Sequence, residues 1–166
     1  MNENDIVVRG KAVEIVNQNG NKFPSLIDYS IGVVNTIWLI YQHGTVEMLN
    51  QALKMMVEAR NKNLRNIEMY RILQTADRIC ATNFGYQYFG TQINTPIVDF
   101  PATFNFSLKR ISLIPTLCNI QQKKPKITNN TENLVKIWDE ASKDVACEAN
   151  PNSNLAKIYY DKFNRK

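Results

Sequence analysis

The 166 residues hold a single histidine and three cysteines, so imidazole and thiolate chemistry, as ligand or as nucleophile, have little to draw on. Cys80, Cys118 and Cys147 are far apart and odd in number, and no Cys-x-x-Cys pair occurs. That spacing suits neither a disulfide framework nor a zinc site, so buried reduced thiols in a cytoplasmic compartment are expected. Neither of the glycine-rich phosphate loops, Gly-x-Gly-x-x-Gly or Gly-x4-Gly-Lys-Ser/Thr, is present. The N-terminus, MNENDIVVRG, is polar and carries two acids before any apolar run, which is not a signal-peptide pattern. Apolar stretches fall short of the ~20 residues a bilayer span needs, so no membrane association is expected.

Candidate catalytic groups are correspondingly thin. His43 stands beside Gly44 with no Cys, Asp or Glu at ligand spacing, and reads as a helix-terminal residue. Asp139, Glu140 and Asp144 fall on the outer face of an amphipathic stretch. Asp28 interrupts an apolar helix and reads as a first-turn carboxylate favoured by the helix N-terminus. The chain is therefore expected to act without catalysis, metal or cofactor.

What is present is helical periodicity, concentrated between Ser25 and Ala81. In SLIDYSIGVVNTIWLIYQHG, residues Leu26, Ile27, Ile31, Val34, Trp38 and Tyr41 recur every three or four positions. Ile37, Leu39 and Ile40 widen that face toward a helix buried on most sides. Gly44 then reads as a left-handed stop, and Thr45 as the cap of a second helix with Val46, Leu49, Leu53, Met56 and Val57 inward. Asn61-Lys62-Asn63 breaks this helix, and a third is predicted from about Leu64 to Asn83, with Leu64, Ile67, Ile72 or Leu73, Ala76, Ile79 and Cys80 inward. Breaks this short force neighbouring helices to pack against one another.

The flanks are less regular. Residues 6–16 are rich in Val and Ile and fit a strand or small hairpin, or an amphipathic helix, before an Asn19-Gly20-Asn21 turn. Residues 84–115 hold many aromatics, three prolines in residues 91–115 and no clean helical period; Ala102, Phe104, Phe106 and Leu108 alternate with polar residues as a half-buried strand would. Residues 121–130, QQKKPKITNN, read as a polar basic linker, followed by a helix capped by Thr131 with Leu134, Ile137 or Trp138, Ala141 and Val145 inward. A last short helix is predicted around Leu155, Ile158, Tyr159 and Phe163. The expectation is a mainly α protein, a bundle of about five helices with a minor β or irregular aromatic-rich excursion. It divides into a core domain at 1–120, the linker at 121–130, and a helical pair at 131–166 packing on the core.

The net charge of +5 is uneven, with eleven basic and five acidic residues between 44 and 126 and near balance elsewhere. Arg71, Gln74 and Arg78 lie at helical spacings of three and four, with Arg65 a turn or two away. Arg and Gln side chains on one face suit phosphate and base-edge contacts. Lys123, Lys124 and Lys126 add counterion-release affinity. These seven residues are the nucleic-acid-binding candidates. Tyr86, Tyr88, Phe89, Phe104 and Phe106 are candidates to stack on bases or anchor a protein interface, against the simpler reading that they cover the helical core.

The run IYQHGTVEMLNQALKMMVEAR, residues 40–60, resembles the helical region that follows the nuclease-like domain in ParB-like proteins of phages and mobile elements. There a Tyr-x-x-Gly break leads into a helix ending in small and basic residues, as Tyr41, Gly44 and Ala59-Arg60 do here. The stretch from Leu155 to Tyr160, continuing to Asn164-Arg165, is similar to their Ala-x-x-Tyr-Asn-Lys-like ending. The nuclease-like domain has no counterpart in the sequence, so the resemblance carries over no catalytic residue and implies a DNA-associated accessory role. An asparagine-, isoleucine- and lysine-rich composition, typical of AT-rich genomes, agrees with a phage or mobile-element source.

Two classes of function follow. The first is nucleic-acid association, whose affinity should fall steeply with salt. The second is a protein-binding module: a homo-oligomeric virion component of head–tail or connector type, or an inhibitor docking on a host or defence protein. Either would work in the cytoplasm, or in the virion.

Overall fold

The computed structural model describes residues 3–24, 29–62, 67–104, 108–128 and 131–146. Six helices are found among them: α1 (Glu3–Gln18), α2 (Ile31–Gln42), α3 (Val46–Asn61), α4 (Met69–Phe84), the single turn α5 (Ile114–Leu117) and α6 (Thr131–Ala146). A 3-10 segment, Leu108–Leu113, runs into α5. The architecture is a mainly α bundle, and no helix among the described residues is long and apolar enough to cross a membrane.

α4 is the central element. It packs on α3 along one side and on α6 along another, while α2 packs on α3 and α1 on α2. Ile72, Leu73, Ala76, Ile79 and Cys80 of α4 are fully buried, as their spacing predicts. They meet Leu49, Ala52, Leu53, Met56 and Val57 of α3 in one continuous core. Each fully buried Leu, Ile or Met contributes roughly 1.5–3 kcal/mol relative to exposure.

Local signals set several boundaries. The Thr45 hydroxyl accepts the Met48 N–H at 3.3 Å, capping α3 as expected. Gly85 closes α4 with φ 74°, the left-handed conformation glycine adopts without strain. Gly44 is different from its prediction, because it does not have a positive φ. A Cβ there would stand 2.8 Å from Met48 Sδ and 3.1 Å from the Tyr41 carbonyl oxygen, so the α2–α3 corner needs glycine for space.

Other expectations are corrected. α2 begins at Ile31, not near Ser25: Tyr29 lies in a bend and the Ser30 hydroxyl accepts the Val33 N–H at 3.5 Å. Nor is α2 buried on most sides, since Leu39 is exposed and Ile40 half-buried. Of the two readings of residues 6–16, the helix is the one found and the hairpin is not, with Ala12 and Val16 buried and Ile6, Val7 and Val8 exposed. The helix penalty of β-branched residues is a few tenths of a kcal/mol each, which the burial of Ala12 and Val16 outweighs. The third helix begins at Met69 instead of Leu64. The alternation at 102–108 makes no strand where it is described: Phe104 N–H donates to the Pro101 carbonyl in a turn, and the 3-10 segment starts at Leu108. Asp28, Arg65, Phe106, Cys147 and the helix expected around Leu155–Phe163 lie outside the described residues.

Candidate functional site

The loop after α4 is organised by a carboxylate that the periodicity does not single out. Asp77 is fully buried on α4. Its Oδ1 accepts the backbone N–H groups of Tyr88 at 2.9 Å and Phe89 at 3.0 Å. Its Oδ2 accepts the N–H of Thr91 at 2.9 Å and the Thr91 hydroxyl at 2.9 Å. Burial pushes the carboxyl up to about 6, while the bonds from Thr91, Phe89 and Tyr88 pull it back down.

Gln87 repeats the device one step out. Buried to 1% exposure, it donates through Nε2 to the carbonyls of Gln92 (2.8 Å) and Thr95 (2.7 Å), and its Oε1 accepts the Gln92 N–H at 2.7 Å. Gln87 also pairs with Ile97 in a parallel bridge, and Val98 with Ile127 in an antiparallel one. These isolated bridges are the only β pairing among the described residues.

Through the second bridge, residues 121–128 are held against the core and do not hang free. The Asp99 N–H donates to the Lys126 carbonyl and the Thr128 N–H to the Ile97 carbonyl, each at 2.9 Å. Gln122 fixes the other end. Its N–H donates to the Tyr86 hydroxyl at 2.9 Å, and its Nε2 donates to the Asp99 carbonyl at 2.8 Å and the Tyr88 hydroxyl at 3.3 Å. Lys123 and Lys124 between these anchors, and Lys126 at the second of them, are all exposed, with Lys126 Nζ 3.8 Å from Asp99 Oδ2.

The predicted aromatic interface is largely interior. Tyr86, Tyr88 and Phe89 are buried, and Phe104 is half-buried against the core. Their rings meet one another: Tyr88 stacks on Phe100 at 5.4 Å and meets Tyr86 edge-on at 5.6 Å. Trp138 of α6 reaches across to donate its Nε1–H to the Phe89 carbonyl at 2.8 Å. The reading that these rings cover the helical core therefore holds for the four that are described.

Arg71 departs furthest from its expected role. It is 6% exposed, and its Nε donates to Glu68 Oε2 at 2.6 Å. One terminal nitrogen bonds the Asn35 side-chain oxygen on α2. The guanidinium carbon lies 5.1 Å from the Trp38 ring centre and 5.5 Å from that of Tyr70. The two rings meet each other edge-on at 6.3 Å, and the cation, packed against both and paired, joins α2 to α4 and is not presented to solvent. Beside it the Gln42 amide bonds the Thr75 hydroxyl, which donates in turn to the Arg71 carbonyl at 2.7 Å. Gln74 and Arg78 are half-buried, so Arg71, Gln74 and Arg78 form no common exposed face, whereas the three lysines share one turn.

His43 is exposed at the end of α2, and its carbonyl accepts a bond from Arg9 at 2.6 Å. Cys80 and Cys118 are free and buried; the Cys118 thiol is pushed up by its hydrogen bond with Cys80 and by burial. A thiol held in that state is a poor nucleophile. Asp77, Gln87 and Gln122 were not legible as anchors, because a buried polar residue bonded to distant main chain leaves no period in the sequence. Comparison with protein-family models, with curated proteins and with solved structures finds no match to this chain.

Proposed function

We propose that this is a non-catalytic protein of phage or mobile-element type that associates with nucleic acid through the turn bearing Lys123, Lys124 and Lys126. The observation that carries the reading is the exposure of three lysines on one anchored turn with Asp99 as the neighbouring carboxylate. A concentrated positive surface attracts a polyanion and releases its counterions. Half-buried Arg78 and Gln74 remain available as secondary contacts, and the resemblance of residues 40–60 to ParB-like helical regions points the same way. Arg71 is removed from the binding set by its packing.

The test is binding of a labelled DNA fragment across a salt series. Affinity that falls steeply with salt, and that Lys123→Ala/Lys124→Ala/Lys126→Ala abolishes, supports the reading. Salt-indifferent binding, or binding untouched by the triple variant, refutes it.

A protein partner is the second reading. Two exposed aliphatic side chains, Ile93 and Ile127, and an apolar groove of about 310 Å³ between α1 and α2 favour it. Val8, Ile15, Val33, Ile37 and Ile40 are among the residues lining that groove. Size-exclusion chromatography with light scattering separates the two: a large assembly that persists at any salt and ignores DNA would replace the nucleic-acid reading.

A further inference from the structure

Two properties of the lysine turn bear on which form of nucleic acid it fits. The first is its rigidity. The backbone is held before the lysines by Gln122 and from Lys126 onward by the pairing of 126–128 with 97–99. Those anchors are themselves fixed: Tyr86 and Tyr88 are buried, and Asp77 on α4 holds the backbone of Tyr88. The lysine backbone therefore loses little conformational freedom on binding, which favours a partner whose charges are themselves regularly placed.

The second property concerns the rings. Binding of single strands draws much of its strength from bases stacked on exposed aromatic faces. Tyr86 and Tyr88, whose hydroxyls bond Gln122, and the neighbouring Phe89 are 0–4% exposed, and their faces are occupied by one another and by the half-buried rings of Phe84 and Phe100. The large apolar side chain exposed within the turn is Ile127, 64% exposed, which has no π-face. A duplex needs no such platform and presents more phosphate charge per unit length than a single strand.

We propose that the 121–128 turn is a preformed contact for the phosphate backbone of duplex nucleic acid, with Gln122 as the residue that positions its lysines. This rests on the nucleic-acid reading above and narrows it to the duplex form. Gln122 touches no phosphate in this scheme. It acts through Lys123 and Lys124 by tying the chain to the Tyr88 hydroxyl and the Asp99 carbonyl.

The experiment is fluorescence anisotropy of the full chain with a short labelled DNA duplex, its separated single strand, and polyglutamate as a competitor, over a salt series. The duplex should bind more tightly than the single strand, and polyglutamate should compete weakly. Each lysine that contacts a phosphate and is changed to alanine should reduce the salt slope by about 0.9. Gln122→Ala should weaken duplex binding by roughly fivefold, the equivalent of one hydrogen bond. In a Lys124→Ala background, which still binds through the other two lysines, the same change should cost less than it does in the wild type, a non-additivity that a merely structural residue would not give. Tyr88→Phe, which removes one hydroxyl and keeps the ring, should reproduce part of the loss if Gln122→Ala unfolds the chain.

A single strand bound as tightly as the duplex would overturn the duplex assignment. Additive effects of Gln122→Ala and the lysine changes, with duplex binding intact, would overturn the positioning role alone. Polyglutamate competing as well as the duplex would transfer the turn to an acidic protein partner. Failure of the wild-type chain to bind either nucleic acid would end the nucleic-acid reading itself.

Discussion

Thr91 gives Asp77 two bonds at once, its backbone N–H and its hydroxyl both reaching Oδ2 at 2.9 Å. The hydroxyl is the one donor in the clasp that can reverse. When the carboxyl takes up a proton, it can donate to Thr91 Oγ and still accept the three main-chain N–H groups. The clasp thus tolerates both protonation states, but not the loss of an oxygen.

Asp77→Asn should therefore destabilise the fold by about 1–3 kcal/mol at pH 5, the cost of one buried N–H without an acceptor. Asparagine offers one acceptor oxygen, and its amide would face the Thr91 N–H. Urea unfolding of the two proteins at that pH measures the difference; equal midpoints would show that the clasp carries no stability.

The penalty should shrink as pH rises. The folded-state value of Asp77, about 6, lies above its ordinary 3.8, so the folded chain holds this proton more tightly than the unfolded chain. Its contribution is complete below pH 3.8 and is lost as pH climbs through about 6, amounting to about 3 kcal/mol. Asparagine does not titrate. The gap between wild type and Asp77→Asn should narrow between pH 4 and 7, and a gap that widened would reverse the sign of the argument.

Arg71→Ala should cost about 3–5 kcal/mol in chemical denaturation, because it takes the guanidinium from Glu68 and Asn35 and opens space beside the Trp38 and Tyr70 rings. Arg71→Lys should also destabilise, since an ammonium cannot stack on both rings and bond both partners. Its salt slope for DNA should equal that of the wild type.

The thiols offer a check on packing. In a Cys147→Ser background, Cys80 and Cys118 should react with a thiol-specific reagent only after denaturant is added, two equivalents appearing together. Fast reaction of either in the folded protein would contradict their burial.

Periodicity located the helices well where one face is apolar and the break is local. The spacing of Ile72, Leu73, Ala76 and Ile79, and the Thr45 cap, needed nothing beyond their neighbours. It left strand and helix both open at residues 6–16, where β-branched residues favour strand in isolation and the burial of Ala12 and Val16 decides. The candidate site was half legible. Lys123, Lys124 and Lys126 show their charge directly, and the structure adds the anchors that gather them. Arg71 has the same spacing from Gln74 and Arg78 whether it faces water or the ring of Trp38. Its orientation is set by Asn35, 36 positions away, and no local pattern records that.

One consequence of the Asp77 clasp concerns which sequence changes the chain can absorb. The acceptor sits on α4, but most of the donors are main-chain groups that nearly every amino acid supplies. The path of residues 88–91 is thus dictated by one carboxylate acting through the main chain, with the Thr91 hydroxyl as the one side-chain donor. Buried Tyr88 and Phe89 and the positive φ of Gly90 restrict the side chains there on other grounds, but the clasp adds a bar of its own: proline, the residue without an N–H, at position 88, 89 or 91.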